Sequence, residues 1–460
     1  MGRHLFSAVL LLLVSGCTLT PDYERPALDI PEFYIQPADG GASIANLEWW
    51  SLFQDAQLQY LIRTALEENK DLRASLQRIR EARALLTFTR ADQYPFIDGS
   101  GSVSRDRPSK ILFPGSDTSN NYSLSVDLSF EVDLWGKLSR ATEAAEADLL
   151  ATEASYRNVT ISLVSNVASV YFLLRDLDAR LHIARETVKS RSESLQIIQA
   201  RFDKGTVPEL DVNQAQIELA IAEAAVSVFE RESVQAENAL QFLLGRNPGA
   251  VQRGLPLEQQ VLPSDIPVGL PSELLQRRPD LVAAEERLRA ETARIGVAEA
   301  LRYPSIGLTG SLGLASDDFS DLTDSDARTW SVGGGLFAPL FNSGKLKAQA
   351  EGQRARTEQV MAAYESTLLR AFREVEDALV AIHTYHAENE ARQRQATAAR
   401  NAARLSRARY DGGVVDYLEV LDSERSLFTA ELEDSVTRRQ YLNAIVELYK
   451  ALGGGWNPQG

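Results

Sequence analysis

One cysteine, two methionines and four histidines are the whole supply of soft or imidazole ligands in this sequence, and only the cysteine stands where a reaction would need it. Cys17 directly follows Gly16, behind Arg3, His4 and the short apolar run Leu5–Val14. A basic start, a brief hydrophobic stretch and small residues before a cut site make residues 1–16 a secretory leader. Val14-Ser15-Gly16-Cys17 resembles a bacterial lipobox, in which the thiol of the first mature residue is acylated, so Cys17 is the candidate lipidation site. Thr18 follows, where an aspartate would resemble an inner-membrane retention signal, and this favours the outer membrane. A single cysteine also leaves no disulfide to form, so stability must come from burial and helix packing.

Further chemistry is scarce. His4 leaves with the leader, His182 is isolated, and His383 with His386 lies on a helix pattern without an HExxH arrangement. There is no phosphate loop, G-x-S-x-G or dinucleotide fingerprint. The expectation is a non-enzyme with no cofactor and no metal. Acidic residues outnumber basic ones 64 to 48, a net charge of −16 that becomes −17 once Arg3 is cut away. Nucleic-acid binding needs a basic face, so nucleic acid is excluded as a partner.

The elements that position these residues are written twice. RFDKGTVPEL at Arg201–Leu210 returns as RYDGGVVDYL at Arg409–Leu418, about 208 residues on. Tyr94-Pro95-Phe96-Ile97 returns as Tyr303-Pro304-Ser305-Ile306, Gly136-Lys137-Leu138 as Gly344-Lys345-Leu346, and Asp71-Leu72 as Asp280-Leu281. Matches in constant order and nearly constant spacing mean one unit built twice.

Each unit mixes two periods. Tyr122–Leu134 alternates apolar and polar without error, as a strand with one greasy and one wet face does. Such a run is long enough for a tilted bilayer crossing of about 9–11 residues; an ordinary half-buried hairpin in a soluble sheet fits the alternation as well. Ile306–Leu314 and Trp330–Ala338 repeat it more weakly, and Gly333-Gly334-Gly335 reads as room for close backbone approach. Lys137–Phe202 and Lys345–Tyr410 contain no proline and read as helices approaching about 100 Å, a length that points to coiled-coil packing. Each ends at a glycine turn, Gly205 or Gly412-Gly413, before a returning helix, Glu209–Leu244 or Asp416–Leu452. Asp416 with Glu419 reads as a capping box. Asn158–Leu174 is uncharged but too polar to cross a membrane as a helix.

Taken together, the lipobox followed by Pro21-Asp22-Tyr23-Glu24-Arg25-Pro26, the Pro271–Asp280 segment, both R-[FY]-D-x-G turns, Leu134-Trp135-Gly136 and the terminal Ala451–Trp456 resemble the outer-membrane factor family. These are TolC-like channels, and the closer resemblance is to OprM-type channel lipoproteins. The resemblance implies an all-α fold plus a membrane β-barrel: a homotrimer in which four strands per chain make a 12-stranded barrel and long antiparallel helices make a periplasmic tunnel. Physics agrees that four strands cannot close alone and that an open edge is not tolerated in lipid. The implied partners are a periplasmic adaptor, an inner-membrane pump and outer-membrane lipid. The implied role is the passive exit duct of a resistance-nodulation-division-type pump for drugs or other small molecules. Alternatives are the exit duct of type I polypeptide secretion and, in another class, a pore-less coiled-coil lipoprotein.

The expected organisation is leader 1–16, lipidated segment and collar 17–54, then helical 55–95, strands 96–134 and hairpin 135–244. A linker and collar, 245–270, precedes helical 271–304, strands 305–340, hairpin 341–452 and tail 453–460. Loops Arg105–Asn120 and Ala315–Thr329 read as hydrophilic strand tips. The turns Gly205-Thr206-Val207 and Gly413-Val414-Val415 are the candidate adaptor-docking tips, expected to expose a small apolar patch. Leu418, Asp422 and Arg425 share a helix face by their spacing of four and three. The resemblance implies that they and Asp211 form a periplasmic gate.

Overall fold

The duplication is carried through to the elements. The computed structural model describes residues 23–27, 30–35, 52–260, 268 and 271–454; the leader, Cys17 and the tail beyond 454 lie outside these. The first repeat runs α1 (Ala56–Glu68), α2 (Lys70–Ala91), β1 (Phe96–Asp106), β2 (Ser119–Val132), α3 (Lys137–Asp203) and α4 (Glu209–Leu243). The second runs α5 (Leu274–Arg277), α6 (Pro279–Ala300), β3 (Ser305–Ser316), β4 (Arg328–Phe337), α7 (Lys345–Asp411) and α8 (Tyr417–Ala451). Helices α3 and α7 have 67 residues each, and α4 and α8 have 35 each.

Two compact units divide the chain. One takes Arg78–Glu153 and Ala283–Glu365 with the N-terminal stretch to Leu28; the other takes Asp29–Gln77, Ala154–Val282 and Ser366–Gly460. The first holds the sheet, antiparallel throughout in the order β1-β2-β3-β4. Strand β2 stops at Val132, two residues before the alternation does, because the Asp133 carboxylate turns to accept from Leu138 N (3.1 Å) and Ser139 N (2.8 Å) at the start of α3. Close backbone approach falls at Gly313 and not in the Gly333–Gly335 triplet: a Cβ on Gly313 would lie 2.6 Å from Leu124 O, whereas Gly335 faces open space.

The second unit is built on the long helices. Their buried positions recur every seven residues, Ala154, Ile161 and Ala168 on α3 and Ala396, Ala403 and Tyr410 on α7. That is a coiled-coil seam, with alanine allowing close approach. Both long helices end in the same Schellman turn. Gly205 N donates to Phe202 O and Thr206 N to Arg201 O, and Gly413 N and Val414 N do the same to Tyr410 O and Arg409 O. Both glycines sit at φ +72° with nothing near a would-be Cβ, so backbone handedness and not space demands them. The capping box at Asp416 does not form. Asp416 holds the N-cap position without a side-chain bond, and the Glu419 carboxylate is taken by Arg409 Nη1 at 2.7 Å.

The returning helices are clamped alike by different chemistry. Asn69 Nδ2 donates to Leu243 O (2.8 Å), and 209 residues later Arg278 Nη1 donates to Ala451 O (2.9 Å). Residues after α4 strap along the second unit, held by Arg175 Nε on Leu255 O (2.9 Å) and Arg438 Nε on Leu257 O (3.1 Å).

Candidate functional site

The sheet sorts its side chains by chemistry. Partners across the ladder share a face. On one face Ile97 pairs with Leu128, Val126 with Leu312, and Leu312 with Trp330, while Leu124 meets Leu314 and Ile306 meets Leu336. Leu124, Val126, Leu312, Trp330, Val332 and Leu336 on this face are exposed. A contiguous bare apolar face on strands of 10 to 14 residues matches a lipid-facing wall. The opposite face is wet: Ser100 and Ser125 hydroxyls lie 2.9 Å apart, Ser102 and Ser123 2.7 Å apart, and Ser125 Oγ donates to Asp127 at 2.7 Å. Within the chain β1 and β4 each keep one unpaired edge.

The strand-tip loops differ more than their composition implies. Residues 317–327 carry five aspartates, as expected of a loop in water. In the β1–β2 loop, however, Ile111, Leu112 and Phe113 are exposed, a greasy tip that the prolines and charges around it concealed.

At the helix turns the structure brings most of the proposed tip and gate residues together. Thr206, Val207, Asp211, Gly413, Val415 and Leu418 line one cleft of about 680 Å³ with Arg201 and Tyr410. Beneath it Ile198, Val212, Ala215, Tyr410, Tyr417, Val420 and Leu421 form a core, and Val207 and Val415 pack against that core. The expected exposed patch is therefore displaced: those two valines turn inward, and Val414, Leu210 and Leu418 are the exposed apolar residues. Asp211 is half-buried, and burial, then the Asp416 carboxylate, push its pKa up.

Leu418, Asp422 and Arg425 all face solvent on α8. Arg425 does not turn to Asp422; its guanidinium binds Glu218 on α4. Glu218 is buried, and its other oxygen takes Arg191 Nη2 at 3.1 Å, while Arg191 Nη1 donates to the Glu218 carbonyl at 2.6 Å. Arg191 lies under Phe428, 5.1 Å from the ring centre. Burial lowers the Arg191 pKa, offset in part by Glu218 and Glu424. Sequence reasoning missed Glu218. Its one signal was a carboxylate in helical register with apolar Val212, Ala215 and Ala222, an acid at a core position.

No group of three or more ligating side chains gathers among the described residues, and no helix among them is long and apolar enough to cross a membrane. His386 packs edge-on against Tyr441, 5.5 Å between rings.

A family model described as outer membrane efflux protein matches residues 61–246 and 270–454, one match to each repeat. The chain is 39% identical to outer membrane protein OprJ of Pseudomonas aeruginosa over 98% of its own length and 96% of the relative. It is 37% identical to cation efflux system protein CusC of Escherichia coli K12, covering 96% and 97%. Its fold matches the open-state MtrE outer membrane channel of Neisseria gonorrhoeae with a TM-score of 0.88, at 31% identity over 95% and 98% of the two chains.

Proposed function

The chain belongs to the outer membrane efflux protein family, and from that premise we propose that it is the homotrimeric exit duct of a tripartite resistance-nodulation-division-type pump. Its place as an outer-membrane efflux component comes with the family. The carrying observation for the duct is the sheet with one greasy face, one wet face and two open edges. Unpaired backbone groups are not tolerated in hydrocarbon. Joining β4 of one copy to β1 of the next through three copies closes the wall into a 12-stranded barrel with a water-bonding interior. The long helices wall a periplasmic tunnel of about 100 Å, with 245–260 in a collar outside it. Leu418, Asp422, Arg425 and Asp211 narrow the far end.

Drugs or other small molecules selected by the pump pass through passively. Purified protein is expected to assemble as trimers that conduct in planar bilayers. Expressed with its pump and adaptor in cells lacking an exit duct, it restores resistance. Well-assembled trimers that carry no current would overturn the reading.

Two features outside the barrel give further expected results. Cys17, which lies outside the described residues, is the acylation site; a clickable fatty acid labels the wild type and not Cys17→Ser, and equal labelling sinks the assignment. The variant keeps much of its activity, since the barrel is the stronger anchor. The adaptor meets the turns Gly205-Thr206-Val207 and Gly413-Val414-Val415, where Val414 is the exposed contact. Val414→Glu is expected to leave trimers and bilayer conductance intact and to abolish drug resistance. Full resistance in that variant places docking elsewhere.

A further inference from the structure

The triplet Arg-aromatic-Asp that precedes each glycine turn is not explained by the turn, which needs only the glycine and its backbone bonds. An aspartate as the last helical residue even opposes the helix dipole, yet Asp203 and Asp411 both stand there. Inside the chain the first and second triplets meet. The Arg201 guanidinium lies 4.5 Å from the centre of the Tyr410 ring, and its Nη2 is 4.0 Å from Asp411 Oδ1. The other half of each triplet, Phe202 with Asp203 and Arg409, is left outside this contact. Phe202 is 37% exposed while its counterpart Tyr410 is 7% exposed.

The same asymmetry runs up the helices at positions 208 apart. Leu369 on α7 is 69% exposed, but its counterpart Ile161 on α3 is 7% exposed; Val234 on α4 is 54% exposed, but Leu442 on α8 is 3% exposed. In the chain, α8 covers α3, tied where Ser435 Oγ donates to Asp176 at 2.6 Å and Arg439 Nε lies 3.1 Å from it. On the equivalent helices, α4 and α7, Val234 and Leu369 are left uncovered. A duplicated unit whose copies present what the other repeat buries is completed by a further copy of itself in a closed ring.

We propose that the repeated triplet is a latch used twice. Within a chain Arg201 clasps Tyr410 and Asp411; between chains Arg409 clasps Phe202 and Asp203 of the partner subunit, so the two kinds of latch alternate around the trimer. This rests on the trimeric duct proposed for the chain. The occupant is a second copy on two grounds: Arg409 and Asp203 are complementary in charge, and this seam continues the in-chain one. The present partners of Arg409 and Asp203, Glu419 at 2.7 Å and Gln199 at 2.9 Å, are exposed and readily exchanged. The equivalent of Asp176 is Thr384, so the seam between chains lacks the buried carboxylate and relies more on its latch.

The test uses the full chain in outer-membrane vesicles. Phe202→Cys with Arg409→Cys is oxidised and run denatured without reductant, beside each single variant, while unheated gels report assembly. The double variant is expected to give a covalent dimer and trimer ladder that neither single variant gives. Assembled trimers without that ladder overturn the latch and leave the duct standing, whereas a wild type that forms no trimer overturns the duct itself. If the cysteine pair fails to assemble, Asp203→Arg and Arg409→Asp replace it. Each alone is expected to lower the temperature at which the unheated trimer band is lost, and the two together to restore it. Absence of restoration also overturns the latch.

Discussion

Alanine at both Asp422 and Arg425 is expected to raise the single-channel conductance of purified trimers several-fold and to admit large antibiotics to cells. Arg425 is half-exposed and its bond to Glu218 crosses from the second repeat to the first. An exposed ion pair contributes only about 0–1 kcal/mol. Three symmetry copies that break together would contribute up to about 3 kcal/mol, on the order of a hundredfold in the ratio of closed to open states. Glu218 is the wrong place to cut. Removing it strands the buried Arg191 guanidinium, a loss of about 3–5 kcal/mol, and the tip core goes with it. Arg425→Ala leaves Arg191 and Glu218 paired, so the gate is weakened while its frame stands. High salt should mimic the variant in part, because exposed pairs are screened within about 10 Å at moderate ionic strength. Unchanged conductance in correctly assembled trimers refutes this gate.

The pattern of side chains made the elements legible and left their partners hidden. Period two in Tyr122–Leu134 and the proline-free runs from Lys137 and Lys345 placed β2, α3 and α7 within a few residues, because alternation and helical period are local properties. The Schellman turns were equally local. What failed was everything decided by a residue far along the chain. Glu419 looks like the partner of Asp416, but Arg409 lies ten residues upstream on the antiparallel helix and takes its carboxylate. Asp422 and Arg425 share a helix face by spacing, but the partner that holds Arg425, Glu218, lies 207 residues away. Val207 and Val415 read as surface because they stand in a turn, and the core under the cleft turned them inward. The same limit applies to Asp55, whose carboxylate gathers donors from 116, 200 and 205 residues away.

Asp55→Ala is expected to destabilise the protein by about 3–4 kcal/mol, since it removes a helix cap and orphans several buried donors at once. Its Oδ1 caps α1, accepting from Gln57 N at 2.8 Å and Leu58 N at 3.4 Å. Its Oδ2 accepts from Tyr171 on α3 (2.7 Å), Leu255 N (2.9 Å) and Gln260 Nε2 (2.7 Å), so one carboxylate holds the first repeat to the connection that leads to the second. Gly254 completes the site: its N–H donates to Tyr171 Oη at 3.0 Å, and a Cβ there would stand 2.2 Å from Asp55 Oδ1. Gly254→Ala should therefore reproduce much of the loss by pushing the connection off the carboxylate.

Burial alone would raise the Asp55 pKa, but the bonds from Tyr171, Gln260, Gln57 and Leu255 outweigh it and hold the carboxyl below its usual value. A depressed folded pKa means that the unfolded chain takes up the proton first. The stabilisation is then complete above the unfolded pKa of about 3.9 and is lost as pH falls from there through the lower folded value. Melting temperatures of detergent-solubilised trimers across that acid window should fall more steeply for the wild type than for Asp55→Asn, which carries no titrating proton. Parallel curves would show that the carboxylate charge does no work in the clamp, and a wild-type melting temperature retained in Asp55→Ala would show that the clamp itself is not what joins the connection to the helices.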